Sequence, residues 1–241
     1  MNSERINWID SLRGLAIVLM IIFHIAFDLD LLNIYQISLY SGFWFFLARF
    51  IEFTFLILFG FSLYLSYKNS QSYSKFLKFQ LWRGVKLFAI AMLITLITYF
   101  IYPQGYIRFG VLHLISMGII MGALLVRYPK ALIAMIFLSL IFGAIFNQFY
   151  TDTPLLLPFG IMPDKFYTLD YFPTFPWAAL IFFGIIAARF FGANSWLINS
   201  KKIRRFIFLE KIGQKSLLIY LIHQPVLLGL IWLLSISNVL K

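Results

Sequence analysis

The chain contains three histidines, His24, His113 and His223, and each lies in an apolar stretch beside other polar residues at helical spacing. His24 and Asp28 are one helical turn apart, which lets the carboxylate accept the imidazole N–H, orient the ring and raise its basicity. That pairing suits a general base acting on an attacking amine or hydroxyl. At about 100° per residue, Asp10, Arg13, His24 and Asp28 share a stripe about 60° wide on an otherwise apolar helix. Within it, Asp10 and Arg13 read as an ion pair at the inner membrane interface.

Three further groups accompany this stripe. Arg49 and Glu52 are three residues apart on one helical face; the pair neutralises its own charge and is a candidate for contacting substrate. Arg108 opens the next apolar segment but one, which also carries His113 and Ser116. A histidine alone on a helix is more often a hydrogen-bonded core residue than a ligand. Near the C-terminus Ser216, Tyr220, His223 and Gln224 fall within an arc of about 100°, and Pro225 loosens the helix backbone beside them. Ionisable residues at such depth are costly, so imidazoles, a guanidinium and carboxylates from four helices suggest one polar column. With no cysteine in the chain, disulfides, thiolate metal sites and a cysteine acyl-enzyme are excluded, and no metal is expected.

The elements that must position these residues follow from composition. Of 241 residues, 62% are hydrophobic, 20% aromatic and 12% charged, with a mean hydropathy of +0.89. Too little polar surface remains for a water-facing globule, so the fold class is an all-α, polytopic membrane bundle. Seven apolar segments are expected, near Trp8–Phe27, Ser41–Tyr67, Val85–Tyr102, Phe109–Val126, Ala131–Gln148, Phe175–Phe191 and Ser216–Ser235. The first lacks a small-residue cleavage site and is expected to stay as a span. No internal repeat is visible, and a single domain over residues 1–241 is expected.

The net charge of +11 is explained by topology rather than by nucleic acid, because the basic residues cluster between alternate spans. With the N-terminus inside, the inner side gathers most of the Lys and Arg, which places the C-terminus outside. The connection from Lys68 to Gly84 reads as a basic inner loop. The proline-rich connection from Phe149 to Thr174 is too apolar for a free linker and is expected to fold back over the outer mouth.

The stretch from Asp10 through Arg13 and His24 to Asp28 resembles the opening helix of the heparan-α-glucosaminide N-acetyltransferase catalytic-domain family. The resemblance continues in order through Ala48-Arg49-Phe50-Ile51-Glu52 with Gly60, Arg108-Phe-Gly-Val-Leu-His113, Tyr171-Phe172-Pro173 with Phe175-Pro176-Trp177, and Gly213 through Tyr220, His223 and Gln224 to Pro225. Arg13, ten intervening residues and His24 also resemble the arginine–histidine signature of the broader acyltransferase-3 membrane proteins.

What the resemblance implies is transfer of an acetyl or short acyl group from cytoplasmic acyl-CoA to an amino or hydroxyl group of an extracytoplasmic glycan or lipid-linked sugar. It makes His24 the candidate base, with Asp28 as its partner. Arg49, Glu52, Arg108, His113, His223 and Gln224 are the candidates for lining the acceptor route. Arg13, Lys201, Lys202, Arg204 and Arg205 are candidates for the CoA phosphates, behind the plainer reading of a basic loop that sets topology and meets lipid. Acetyl-CoA or another acyl-CoA is then the co-substrate, the bilayer and a second copy of the chain are the candidate partners, and a prokaryotic cytoplasmic membrane is the expected location. Two other classes compete: a transporter using the polar column, and a b-type haem carrier with His24 and His113 as axial ligands.

Overall fold

A computed structural model describes residues 6–193 and 206–236 of the protein. Regular structure among them is helical: α1 (Asn7–Leu31), α2 (Gly42–Lys68), α3 (Tyr73–Ile101), α4 (Val111–Leu125), α5 (Pro129–Phe146), a short 3-10 helix (Pro154–Phe159), α6 (Thr174–Ala193), α7 (Ile207–Gln214) and α8 (Ser216–Ile236). Six of these, α1, α2, α3, α5, α6 and α8, are long and apolar enough to cross a bilayer.

Two expectations change. The fourth apolar segment forms a helix of only 15 residues, Val111–Leu125. At 1.5 Å per residue it spans about 22 Å, short of the roughly 30 Å hydrocarbon core. Leu112, Leu114, Ser116, Gly118, Ile119, Gly122 and Ala123 are buried while Leu124 is exposed, so protein covers most of its surface. The inner connection is also shorter than expected: α3 begins at Tyr73, where the Ser72 hydroxyl caps the helix by accepting from Lys75 N–H at 3.3 Å. Lys75, Lys78 and Arg83 are thus helical residues, not loop residues.

The helices fall into two compact units. The first comprises Met1–Phe55 and Asn199–Lys241, and its described elements are α1, the start of α2, α7 and α8. Its core gathers Ile17, Met20 and Ile51, with Leu47, Phe55, Ile212 and Ile219 packed around them. Close backbone approach joins α1 to α7: a Cβ on Gly14 would meet the Leu209 carbonyl oxygen at 2.0 Å, and one on Gly213 would meet that of Asp10 at 1.8 Å. In lipid, where apolar burial drives little association between helices, such small-residue contacts are the means of packing. Asn33, in a left-handed conformation, stops α1, and Asp30 Oδ1 holds the turn to α2 by accepting from Ile37 N–H at 2.8 Å.

The second unit, Leu56–Ile198, contains the rest of α2 and α3 to α6. Leu56, Leu63, Leu114, Ile181, Phe182 and Ile185 lie at its centre. Here α2 and α6 cross through Gly60 and Gly184, whose added Cβ atoms would fall 2.0 Å and 2.2 Å from the Ile181 and Ile57 carbonyl oxygens. The connection from α5 to α6 folds back onto its own unit. Leu169 N–H donates to Gly105 O and Phe172 N–H to Phe109 O, both at 2.8 Å, and the Tyr171 hydroxyl donates to Leu157 O at 2.8 Å.

The glycine contacts generate a stability test. Gly213→Ala forces the α1 and α7 backbones apart and is expected to cost about 1–3 kcal/mol, whereas Gly229→Ala, with nothing within 4 Å of the added methyl, is expected to be neutral or mildly stabilising. Thermal unfolding midpoints of both variants in detergent check this; equal midpoints would contradict the close crossing.

Candidate active site

The first unit brings together four of the residues singled out from the sequence, two from α1 and two from α8. The His24 and His223 rings meet edge to face with centroids 4.6 Å apart and planes at 82°. Gln224 Nε2 donates to Asp28 Oδ1 at 3.0 Å, joining two spans across 196 residues of sequence. Asp28 is fully buried, and His223 is nearly so.

Helical geometry sets the state of both imidazoles. His24 Nδ1 lies 2.8 Å from the Met20 carbonyl oxygen, one turn earlier. A carbonyl only accepts, so Nδ1 carries the proton and, in the neutral ring, Nε2 keeps its lone pair. His223 repeats the arrangement, with Nδ1–H donated to Tyr220 O. Each ring is therefore oriented by its own helix with an Nε2 lone pair for chemistry. This corrects the expected His24–Asp28 hydrogen bond: the ring N–H goes to the backbone, and the carboxylate is engaged by Gln224 instead. Asp28 Oδ2, Gln224 Oε1 and His223 Nε2 are buried and have no hydrogen-bond partner.

The ion pairs in this unit form as their spacing suggested. Arg13 Nη1 bonds Asp10 Oδ1 at 2.8 Å, and Arg49 Nη2 bonds Glu52 Oε1 at 2.9 Å. The Arg49 guanidinium also lies 5.6 Å from the centre of the Phe45 ring. Lys201, Lys202, Arg204 and Arg205, the other candidates for CoA phosphates, lie outside the described residues.

Arg108 and His113 belong to the second unit. The Arg108 guanidinium sits 4.9 Å from the centre of the Tyr106 ring and 5.1 Å from that of Phe166, which offsets its charge by cation–π contact, and its buried Nε has no hydrogen-bond partner. His113 is stacked on Phe109 and edge-on to Phe88. Its Nδ1 accepts Gly110 N–H at 3.2 Å, which leaves Nε2 protonated and facing Thr95 Oγ1 at 3.5 Å. Both nitrogens are engaged, so His113 caps α4 in the way a glutamate does in a capping box.

The sequence reading missed Asp170 as a structural participant. Its Oδ2 accepts Val111 N–H at 3.0 Å, placing a carboxylate at the N-terminus of α4 from 59 residues away. Gly110 makes the approach possible, since a Cβ there would lie 2.1 Å from Asp170 Oδ2. The unsatisfied N–H groups that begin a helix after a glycine are a local signal of a missing partner, but they do not say which residue supplies it.

Against this geometry, the family model described as heparan-alpha-glucosaminide N-acetyltransferase, catalytic, matches residues 5–225. No curated protein and no solved structure matches the chain.

Asp170 carries a pH signature. Burial pushes its carboxyl up from 3.8 to about 6, against the opposing pull of the Val111 N–H. The folded state thus holds a proton that the unfolded chain releases, so Asp170 contributes full stability below about pH 4 and loses it as pH rises to about 6. Unfolding midpoints taken from pH 4 to pH 7 are expected to fall more steeply for wild type than for Asp170→Asn; parallel curves would refute the assignment.

Proposed function

The chain belongs to the heparan-alpha-glucosaminide N-acetyltransferase catalytic family, and from that membership and the site on α1 and α8 we propose a transmembrane acyltransferase. Its reaction moves an acetyl or short acyl group from cytoplasmic acyl-CoA to an amino or hydroxyl group of a sugar or glycan on the far side. The two units together are read as one acyltransferase domain, as the family match from 5 to 225 spans both. With α4 counted as a seventh crossing beside the six longer helices, the excess of Lys and Arg between alternate spans supports an N-in, C-out orientation, a cytoplasmic membrane being the natural setting.

The observation that carries the reading is the pair of imidazoles, His24 and His223, each with Nδ1–H held by its own helix and Nε2 left as a base. In the reaction the acceptor nitrogen or oxygen forms a bond to the thioester carbonyl carbon, the carbon–sulfur bond breaks, and a proton moves from the acceptor to a base as the sulfur leaves. His24 Nε2 is the base in this scheme. Developing oxyanion charge requires donors, for which Arg49, held by Glu52 in the same unit as His24, is the proposed source. With no cysteine, direct transfer in a ternary complex is favoured over a stable acyl-enzyme. Arg13 and the basic residues Lys201, Lys202, Arg204 and Arg205 are proposed for the CoA phosphates.

The same geometry counts against a haem carrier. A ring separation of 4.6 Å between His24 and His223 leaves no space for a porphyrin between them. His113 has spent its Nδ1 lone pair on Gly110 N–H, and its Nε2 is protonated, so it offers iron no free ligand atom.

Purified protein in liposomes, given labelled acetyl-CoA on the Lys/Arg-rich side and amino sugars or glycans opposite, is expected to form labelled acceptor. His24→Ala is expected to lower turnover by about 10²- to 10⁴-fold with an unchanged unfolding midpoint. Equal rates for wild type and variant would remove His24 from the mechanism, and silence in both would remove acetyl transfer.

A further inference from the structure

One face of α3 carries residues that neither packing nor the proposed reaction uses. At about 100° per residue, the buried residues of α3, Phe76, Gln80, Gly84, Leu87 and Ala91, share an arc of about 80°. About 150° round the helix from them runs an exposed stripe with two halves. Lys75, Lys78, Phe79, Trp82 and Lys86 make up the first half, and Leu93, Leu96 and Phe100 extend it as hydrocarbon.

The cations of the first half have no acid beside them in the chain. No Asp or Glu occurs between Glu52 and Asp152, so α3, α4 and α5 supply no counter-charge of their own. Lys75 Nζ meets only the neutral Gln71 side chain, donating to its Oε1 at 3.1 Å. Lys86 Nζ lies 5.0 Å from the centre of the Trp82 ring, one turn nearer the N-terminus of α3. The deepest of the three ammonium groups is thereby drawn back toward the interface, along a ring of the kind that settles at headgroup level. Further positive charge adjoins this end: the Tyr73 hydroxyl donates to the Ala123 and Leu124 carbonyls at 3.3 Å, and the Arg127 guanidinium lies 4.8 Å from the centre of the Tyr73 ring. Topology asks for Lys and Arg near the end of a span, but not for cations and aromatic rings on one face above an apolar wall.

We propose that this face of α3 is a docking site for an anionic phospholipid, its phosphate among Lys75, Lys78 and Lys86 beside Trp82 and its chains along Leu93, Leu96 and Phe100. The order of chemistry along the stripe, cationic and aromatic and then apolar, is that of a lipid from headgroup to tail. A soluble polyanion such as CoA meets only the first half and gains nothing from the second. A zwitterionic lipid fits the wall but brings its own cation to the three lysines. Each lysine close to a membrane surface favours the anionic lipid by about fivefold. The site does not depend on acyl transfer, and its test involves no turnover.

Full-length protein in phosphatidylcholine nanodiscs, doped with either dansyl-labelled phosphatidylglycerol or dansyl-labelled phosphatidylcholine, reports the enrichment of each lipid by energy transfer from tryptophan. Wild type is expected to enrich the labelled phosphatidylglycerol by at least about fivefold over the labelled phosphatidylcholine, and to lose most of that preference in about 0.5 M salt. Lys75→Gln, Lys78→Gln and Lys86→Gln together are expected to abolish the preference. Lys165→Gln, at an exposed position in the connection from α5 to α6, is expected to leave it unchanged. The three substituted side chains are exposed, so the unfolding midpoint in phosphatidylcholine is expected to hold; should it fall, Lys78→Gln alone is expected to lower the preference part of the way. Equal enrichment of the two lipids by wild type, or a triple variant that keeps the preference, overturns the site. Displacement of the labelled phosphatidylglycerol by added CoA overturns it as well, by making the face a site for a soluble anion.

Discussion

The hydrogen bond from Gln224 to Asp28 is the contact on which the rest of the site depends. It closes the first and last described spans on each other and engages a fully buried carboxylate. Because His223 precedes Gln224 and His24 lies one turn before Asp28, the same bond sets the two imidazoles edge to face. Each ring is then fixed twice: by the bond that registers the helices, and by its Nδ1–H on a carbonyl of its own helix. Removing Gln224 would leave the buried carboxylate without that partner as well as unlocking the pair.

Backbone contact supplies what apolar burial cannot in lipid. Gly14 and Gly213 let α1 and α7 touch in one unit, and Gly60 and Gly184 do the same for α2 and α6 in the other. Beside the second crossing, the first turn of the short α4 is finished by one local and one long-range device: the His113 side chain on Gly110 N–H and the Asp170 carboxylate on Val111 N–H. Polar residues that looked in sequence like members of one column thus fall into two groups, one in which α1 and α8 meet and a capping assembly on α4.

Hydropathy made the spans legible because lipid demands about 20 apolar residues per crossing, a long-range constraint written in local sequence. It failed at the N-terminus of α3, where Lys75, Lys78 and Arg83 resemble a loop by charge although Ser72 carries a helix-capping signal and long basic side chains reach water from a helix. It marked α4 by apolarity alone, and the short 15-residue length of that helix is a feature of the fold. In the site, helical spacing put His24 and Asp28 on one face, but whether the ring N–H goes to the carboxylate or to the backbone carbonyl one turn back depends on side-chain rotamers that spacing does not encode. The Asp28–Gln224 and Val111–Asp170 bonds, spanning 196 and 59 residues, belong to the tertiary fold, and local sequence does not say which residues pair.

The central claim is that His24 and His223 act on one acceptor as a unit. The most direct measurement is a double-mutant cycle on kcat/KM for acetyl transfer in liposomes, using His24→Ala, His223→Ala and the double variant. Residues acting as a unit are strongly non-additive, so the double variant is predicted to lose about as much as the worse single one. Losses that multiply, or a His223→Ala variant as active as wild type, would contradict the account.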